Sequence, residues 1–272
     1  MANRYWVGGT GDWSDTSHWS LTSGGVGGQA VPTSVDDVFI DDNSGESGFV
    51  LNCDISVYFK DFLDSRVLVW VFKALANRTW NVYGNITTSE ASNINGMGAI
   101  NVKVTNKTIN FKGITEFLYF EDNTNVEVEI KGNLNCSKST TPSFFDSSGS
   151  GLTLSGEAIF KIYDIGKNTL TNQNWTLNDG VLESNRLTDA DISTLNLNAG
   201  TSTLRLLDSS VNFESGSLTW HNVDLQGDNI TINGSPTFNQ LKGVSGQTIN
   251  VQAGQTITLS DLDIDGCSLI GL

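Results

Sequence analysis

Short runs with an apolar residue at every second position recur along this chain from about Thr79 onward, and Gly, Asn or Asp ends most of them. Successive side chains of an extended strand point to opposite faces, so each run has one apolar face and one polar face. The pattern therefore predicts half-buried β-strands and little helix. The runs span residues 100–104, 109–113, 126–132, 152–156, 195–198, 223–227, 230–234 and 257–259.

Two architectures are built from many short alternating strands, the β-sandwich and the β-solenoid. A sandwich is usually about 100 residues long and rich in two-residue hairpin turns, whereas this chain continues the same pattern over much of its 272 residues. It contains only three prolines, so little interrupts backbone pairing between the strands. Asparagine tolerates the left-handed backbone of tight corners, and stacked asparagines can hydrogen-bond along an axis. We therefore predict an all-β solenoid of stacked coils.

The charge balance excludes several classes of partner. The formal net charge is −15, which opposes nonspecific binding to nucleic acid or to anionic lipid because phosphate contacts need clustered Lys and Arg. The longest strongly apolar run spans residues 67–72, far short of the roughly 20 residues that cross a bilayer. No secretion signal opens the sequence. We expect no nucleic acid partner and no membrane insertion.

The cysteines suggest neither a disulfide framework nor a zinc site. Cys53, Cys136 and Cys267 are odd in number, widely separated and without a Cys-x-x-Cys pair. We interpret them as small buried hydrophobic residues, and no cofactor is predicted.

The opening residues combine large aromatic rings with glycine and turn-forming side chains. Tyr5, Trp6, Trp13 and Trp19 alternate with glycines in the first twenty residues. Rings supply a large buried area, and glycine lets the backbone fold closely around them. We predict that residues 1–45 form a module that caps or docks the solenoid body of residues 46–272, whose first strand edges need covering. The alternative is a platform on which exposed rings stack on sugars.

One segment has an ambiguous pattern. A helix over residues 61–76 would place Phe62, Leu63, Leu68 and Leu75 on one face, but Val67, Val69 and Val71 are β-branched, which favours a strand. The interpretation that we favour is a buried strand.

A partial calcium motif lies near the end of the sequence. Asp261, Asp263 and Asp265, followed by Gly266, match the first half of a calcium-binding loop. The twelfth position holds Leu272 in place of a bidentate Glu, so the aspartates are weak metal candidates. The interpretation that we favour is that they lie on the outward face of a strand, with Leu262 and Ile264 on the inward face.

Paired carboxylates on a solenoid flank are a second candidate site, because glycosidases use two of them. In a chain with thirty acidic residues, however, close pairs also arise by chance, which favours a solvated surface. A Ser-His-Asp site would need His18 or His221, the only histidines. No catalytic residue is therefore assigned. The acidic candidates are Asp122, Glu127, Glu129, Asp189 and Asp191.

Two segments resemble a known group of proteins. The opening Tyr-Trp-Val-Gly-Gly-Thr-Gly-Asp-Trp-Ser-Asp of residues 5–15, His-Trp-Ser of 18–20, the glycine-rich residues 24–28, and residues 31–38 are similar to the N-terminal module of β-helical proteins of tailed bacteriophages, also found in some bacterial surface adhesins. Residues 230–241 and 248–257 are similar to the coils of the same proteins. The resemblance implies a right-handed parallel β-helix, often trimeric, in tail fibres, head fibres or other virion appendages, without common catalytic residues.

These observations give a functional expectation with alternatives. We expect a noncatalytic virion structural protein, a fibre, appendage or decoration protein on the virion surface. The partners that we expect are other virion subunits, a host surface glycan, and further copies of the chain in a homotrimer. A polysaccharide-degrading tailspike fragment and a bacterial cell-surface adhesin remain the alternatives.

Overall fold

The computed structural model describes residues 1–75, 78–96, 99–115, 119–120, 127–136, 151–164, 174–186, 195–214 and 218–271. In this part of the chain the regular structure is β-strand apart from one 3₁₀ helix, Thr16–His18. Each of the alternating runs identified in the sequence overlaps a strand. The all-β prediction is confirmed.

The strands are short and follow one another along the chain. In chain order they are β1 (Asn3–Trp6), β2 (Gly11–Asp12), β3 (Trp19–Ser20), β4 (Asp37–Ile40), β5 (Val50–Cys53), β6 (Val57–Phe59), β7 (Phe62–Asp64), β8 (Trp70–Ala74), β9 (Thr79–Val82), β10 (Ile86–Thr87), β11 (Ser92–Gly96), β12 (Ala99–Val102), β13 (Lys107–Phe111), β14 (Ile114–Thr115), β15 (Tyr119–Phe120), β16 (Glu127–Cys136), β17 (Gly151–Asp164), β18 (Asn174–Thr176), β19 (Val181–Arg186), β20 (Asn196–Asn198), β21 (Thr203–Leu206), β22 (Ser210–Glu214), β23 (Thr219–Leu225), β24 (Asn229–Asn233), β25 (Thr237–Lys242), β26 (Thr248–Val251), β27 (Thr258–Asp263) and β28 (Ser268–Gly271).

Apart from β3, every described strand pairs in parallel with an equivalent strand of a neighbouring coil, which makes the chain a parallel β-solenoid. In the longest sheet Val38 of β4 pairs with Phe62 of β7, and Phe62 pairs with Ile86 of β10. The same sheet continues through β13, β16, β17, β19, β21, β23 and β25 to β27. Three smaller sheets form the other sides of the coils: β2-β5-β8-β11-β14, β6-β9-β12-β15 and β22-β24-β26-β28.

The core is a narrow column inside the coils. Strands such as β4, β21 and β24 bury every second residue, because only one face of each sheet points inward. In the first coils the column is unusually aromatic: Phe72 and Trp80 have ring centroids 4.3 Å apart, and Phe62 packs against both. Aromatic pairs at these separations add to the stabilisation from buried area.

The segment of residues 61–76 is extended, as favoured over a helix, but its centre is not buried. Val67 is 76% exposed, and Leu68 and Val69 are exposed beside it. The flanking residues Arg66 and Trp70 are buried instead. The prediction of a buried strand is therefore wrong for residues 67–69, which form a bend between β7 and β8, and Ala76 lies outside the described residues.

Asparagine serves the two purposes that the sequence suggested. Asn106 and Asn178 adopt left-handed backbone conformations, with φ of 57° and 46°. On adjacent coils the amide of Asn196 donates a hydrogen bond of 3.0 Å to the side-chain oxygen of Asn174. Asparagine thus both shapes corners and links coils along the axis.

Charged side chains alternate in sign along the outer face of the longest sheet. The strand register places Lys161, Glu183, Arg205, Asp224, Lys242 and Asp263 next to one another in six consecutive strands. Lys161 Nζ lies 2.7 Å from Glu183 Oε2, and Arg205 contacts Glu183 at 3.2 Å and Asp224 at 2.9 Å. We call these six residues the charge ladder. A strand displaced by one coil would bring like charges together, so the ladder helps to specify the stacking register.

Reversing one charge tests this ladder. Arg205→Glu is expected to lower the free energy of unfolding by roughly 1 to 3 kcal/mol, because it removes two ion pairs and stacks three carboxylates. Urea denaturation measures the loss, and added salt should reduce it. Lys112→Glu makes the same charge change at an exposed residue outside the ladder. Equal losses for the two variants would contradict the proposed role of the ladder.

Candidate functional site

The predicted aromatic residues meet at the first coil. Trp6, Trp13 and Trp19 are buried, with at most 1% of each side chain exposed. Tyr5 is half-buried and stacks on Phe39, with ring centroids 4.7 Å apart. A sugar that stacks on tryptophan needs an open ring face, which none of the three tryptophans offers. The structure thus brings the predicted rings together as packed rings.

The rings pack edge-to-face and continue into the body of the solenoid. Trp19 lies 5.1 Å from Trp6 and 4.7 Å from Trp13, both in T-shaped geometry. Trp13 in turn approaches Phe59 and Phe72 at 6.3 and 5.9 Å. Two of the indole N–H groups donate to nearby carbonyl oxygens, that of Trp6 to Gly9 and that of Trp19 to Trp13. Trp13 therefore joins the opening segment to the core of the following coils.

His18 explains part of the glycine spacing in the opening motif. Its ring stacks on Trp6 at 4.6 Å and its Nδ1 lies 2.7 Å from the carbonyl oxygen of Val7. A Cβ atom on Gly11 would come within 2.1 Å of the His18 ring, and Gly8, with φ of +82°, faces the same ring. Any side chain at position 11 would displace the histidine. His18 is thus a packing residue.

The opening segment shares its sheets with the body. β1 pairs in parallel with β4, while β3 pairs antiparallel with β1 and lies at the end of the longest sheet. β2 occupies the end of a second sheet, beside β5. Parallel and antiparallel strands present their unpaired backbone N–H and C=O groups in different patterns. Because β3 is antiparallel, the edge of the sheet does not offer the pattern to which a further parallel coil would pair.

Asp36 ties the first strand to the turn before β4. Its carboxylate accepts hydrogen bonds from the Ala2 N–H at 2.7 Å, and from the Thr33 hydroxyl and N–H at 2.7 and 3.1 Å. Burial opposes its ionisation, but these hydrogen bonds and nearby Arg4 outweigh burial and lower the pKa of Asp36. The resulting stabilisation is present above the usual aspartate pKa of about 3.9, and is lost as the pH falls through the lowered folded-state pKa.

A first cleft lies beside the aromatic cluster. Its volume is about 460 Å³, and residues 8–10 and 45–49 line it. Arg66 holds one wall of the cleft in place. Its guanidinium donates hydrogen bonds to the carbonyl oxygens of Gly45 and Asp41 at 2.9 and 3.1 Å, and it lies over the Phe49 ring, 4.8 Å from the ring centroid. Glycine backbone forms much of this cleft, so it offers few side chains for recognition.

A second cleft, which we call the Trp220 groove, lies on the side of the later coils. Its volume is about 450 Å³. Trp220 pairs with Phe238, and Phe238 pairs with Leu259. The next residues along the chain, His221, Asn239 and Ser260, therefore occupy equivalent positions in three consecutive coils. Trp220 Nε1 and His221 Nδ1 are buried and have no hydrogen-bond partner. The lining consists of Leu197, Asn198, Ala199, Gly200, Thr219, Trp220, His221, Thr237, Phe238, Asn239 and Ser260.

Sequence reasoning identified His221 but not the groove. Equivalent residues of neighbouring coils, such as His221, Asn239 and Ser260, are 18 and 21 positions apart, and they become neighbours only through the coil register. The sequence signal that points to the groove is an aromatic residue on the inward face followed directly by a polar residue, as in Trp220-His221 and Phe238-Asn239.

The three calcium candidates lie on and just after β27. Asp261 accepts a hydrogen bond of 2.7 Å from Gln240, Asp263 pairs in register with Lys242, and Asp265 lies in the following turn. All three are exposed. Among the described residues no group of three or more His, Cys, Asp or Glu side chains is arranged to hold a metal ion. Leu272 lies outside the described residues.

The described acidic candidate is held in a network of partners. Glu129 accepts hydrogen bonds from Ser155 at 2.6 Å and Thr108 at 2.8 Å, and Lys131 lies 3.4 Å away. Burial opposes its ionisation, but the hydrogen bonds and Lys131 prevail and lower the pKa of Glu129. A glycosidase general acid needs the opposite shift. Glu127 begins β16, but its side chain is outside the described part of the chain. Asp122, Asp189 and Asp191 lie outside the described residues altogether.

The cysteines differ in burial. Cys53 is buried and free, and burial raises the pKa of its thiol to about 12, so it is unreactive near neutral pH. Cys267 is free but only half-buried, which departs from the prediction; its Sγ lies 3.1 Å from the Val244 carbonyl oxygen. Cys136 ends β16, and its side chain lies outside the described residues.

In the described ranges, no helix has both the length and the apolar character needed to cross a membrane. Comparison with known proteins found no protein-family model, no curated protein and no solved structure that matches the chain.

Proposed function

We propose that this chain is a noncatalytic structural protein of a phage particle, a fibre, appendage or decoration protein that contributes to particle architecture or host attachment. The observation that carries the proposal is the parallel pairing of successive coils along the longest sheet. Continuous backbone pairing makes a stiff, protease-resistant rod, which is what an extended appendage needs. The opening motif supports the virion setting through its resemblance to phage β-helical proteins.

We assign the packed aromatic cluster of residues 5–19 the role of a cap or docking end. It covers the first coil with buried rings and places the antiparallel strand β3 at the end of the longest sheet. Such an end resists edge-to-edge pairing with another copy while leaving the sides of the rod free for contacts. Other virion subunits, and further copies in a homotrimer, are the partners that this role implies.

The noncatalytic part of the proposal is supported by how the described carboxylates are used. Glu183 and Asp224 lie on either side of Arg205, which contacts both. In a glycosidase the space between the two carboxylates must admit the glycosidic bond or the attacking water, whereas here a guanidinium occupies it. The charge ladder serves coil stacking.

Localisation and an activity assay together test the proposal. Antibodies raised against the recombinant chain are expected to label intact particles of the phage that encodes it, as observed by immunogold electron microscopy. The purified protein is expected to release no reducing sugar from capsular or lipopolysaccharide glycans. Label confined to the bacterial cell surface, with no particle labelled, would establish the adhesin alternative. Depolymerisation of one polysaccharide, lost in an Asp or Glu variant, would establish the tailspike alternative.

A further inference from the structure

We propose that three exposed apolar residues, Val67, Leu68 and Val69, dock against another protein whose surface presents an apolar depression flanked by Lys or Arg side chains. We call these three residues the apolar corner, because they form the bend between β7, in the longest sheet, and β8, in the sheet β2-β5-β8-β11-β14. The inference deepens the structural role and rests on the proposed function for the setting of the partner, but binding itself is a property of the purified chain.

The corner is exposed to a degree that folding does not explain. Val67 is 76% exposed, Leu68 44% and Val69 56%, whereas the adjacent Arg66 is 1% exposed. Single apolar residues on a surface are ordinary, but contiguous ones mark interaction sites. Folding alone favours the opposite arrangement, with the apolar side chains inside and the guanidinium in water. A local rule that is broken in this way is typical of a functional surface.

The backbone of the corner is held in one conformation by the coil beside it. The Val67 N–H donates a hydrogen bond of 3.2 Å to Asp42 Oδ1. The Val69 carbonyl oxygen accepts one of 2.7 Å from the Gly48 N–H, and the carbonyl oxygen of the residue between them accepts one of 3.3 Å from Arg66 Nε. A partner therefore meets apolar side chains on an ordered backbone, which reduces the entropy lost on binding.

Acidic side chains flank the corner on both neighbouring coils. Asp42 and Glu46 are exposed in the turn before β5, and Glu90 is exposed in the turn before β11. The second of these turns is joined to the strand after the corner by a hydrogen bond of 3.4 Å from the Trp70 N–H to the Ala91 carbonyl oxygen. The apolar centre thus has a negatively charged rim.

This distribution of charge selects the kind of partner. Arg66 lies beneath the corner, but it is buried and its guanidinium donates to backbone carbonyl oxygens, so three exposed carboxylates surround one enclosed cation. A second copy docked through the same surface would bring like charges together, in a chain whose net charge is already −15. Lys and Arg on a different protein would instead pair with the rim, while apolar side chains fill the centre.

Peptide selection on the purified full chain tests the proposal. The probe is a random dodecapeptide library displayed on yeast, depleted first on the double variant Val67→Ser with Leu68→Ser. Both side chains are exposed, so this variant should keep the Tm of the unaltered chain. Peptides enriched on the unaltered chain are expected to combine apolar residues with Lys or Arg. No enrichment, or enrichment of peptides without Lys and Arg, would overturn the proposal.

A matched pair of variants tests the apolar contact. With the most enriched peptide as the probe in titration calorimetry, Val67→Ser is expected to weaken binding about tenfold, because it removes an apolar side chain from the contact. Val26→Ser makes the same change at a residue that is 90% exposed in the opening segment, and should leave affinity unchanged. Equal affinities in these two variants would show that the peptide binds elsewhere.

A second pair tests the charged rim. Glu46→Gln combined with Glu90→Gln is expected to weaken binding and to reduce its dependence on salt, because two of the exposed carboxylates are lost. Asp179→Asn combined with Asp265→Asn removes the same charge from exposed residues outside the rim and should have no such effect. The same salt dependence in both double variants would contradict the role of the rim.

Two further outcomes separate the corner from the alternatives. Self-association of the purified chain in sedimentation, abolished by Val67→Ser, would assign the corner to a second copy and overturn the proposal. Labelled virions with a chain that selects no corner-dependent peptide would remove the docking proposal and leave the virion role intact. Corner-dependent basic peptides without any labelled particle would keep the docking site and remove the virion role.

Discussion

Replacing Trp13 with alanine is expected to lower the free energy of unfolding by about 3 to 5 kcal/mol. The side chain is 1% exposed and contacts Trp19 on one side and Phe59 and Phe72 on the other. Its loss leaves a cavity between the opening segment and the next coils, which cannot close because the sheets on both sides hold the backbone in place. Urea denaturation followed by circular dichroism measures the change.

Val26→Ala is the matched control for this prediction. It truncates an apolar side chain in the same segment, but one that is 90% exposed, and its effect should stay within about 0.5 kcal/mol. Full stability in Trp13→Ala, combined with loss of glycan or host-cell binding, would show that the ring is exposed and belongs to a recognition site. That result would reverse the assignment of the aromatic cluster as a cap.

The fold follows from the sequence because its main signal is local. A run such as residues 230–234 shows its inward and outward faces within five positions, and a period of two is incompatible with a helix. The stacking register is different, because it depends on contacts between coils. Paired residues in the longest sheet are separated by 24 positions at Val38 and Phe62 but by 18 at Val223 and Leu241, so no fixed repeat length identifies the coils. Side-chain pairs such as those of the charge ladder carry that information.

The wrong prediction for residues 67–69 has a specific physical origin. The run is apolar and its neighbour Arg66 is charged, so the usual expectation is that the run is buried and Arg66 is exposed. The structure shows the reverse. Backbone carbonyls satisfy the Arg66 guanidinium, including those of Gly45 and Leu68, so burial of the charge is offset by hydrogen bonds. These acceptors come largely from a loop about twenty residues earlier in the sequence. Pattern reasoning within one segment has no access to them.

The candidate sites divide in the same way. The aromatic cluster was predictable because Trp6, Trp13 and Trp19 lie within fourteen consecutive residues and the glycines between them allow close packing. The Trp220 groove was not, because it is assembled from separate coils. Its unpartnered atoms are also properties of the folded structure, since whether an indole N–H finds an acceptor depends on the surrounding backbone.

The second large effect is expected at the inward face of β24. Ile232→Asp should lower the free energy of unfolding by roughly 4 to 6 kcal/mol, because it removes a side chain with 0% exposure and places a carboxylate in the column between Phe213 and Val251. Burial disfavours the charged form, so the deficit should shrink as the pH falls toward about 4.

Thr231→Asp is the control, because it adds one carboxylate, as Ile232→Asp does, at the adjacent residue. Thr231 is half-buried on the opposite face, in register with Asn212 and Asn250, where a carboxylate keeps contact with water and with polar neighbours. Its effect should not exceed about 1 kcal/mol, in thermal or urea unfolding. Because the period of a strand is two, equal melting temperatures for the two variants would mean that the inward and outward faces of β24 are assigned wrongly, and with them the register of every coil that pairs with it.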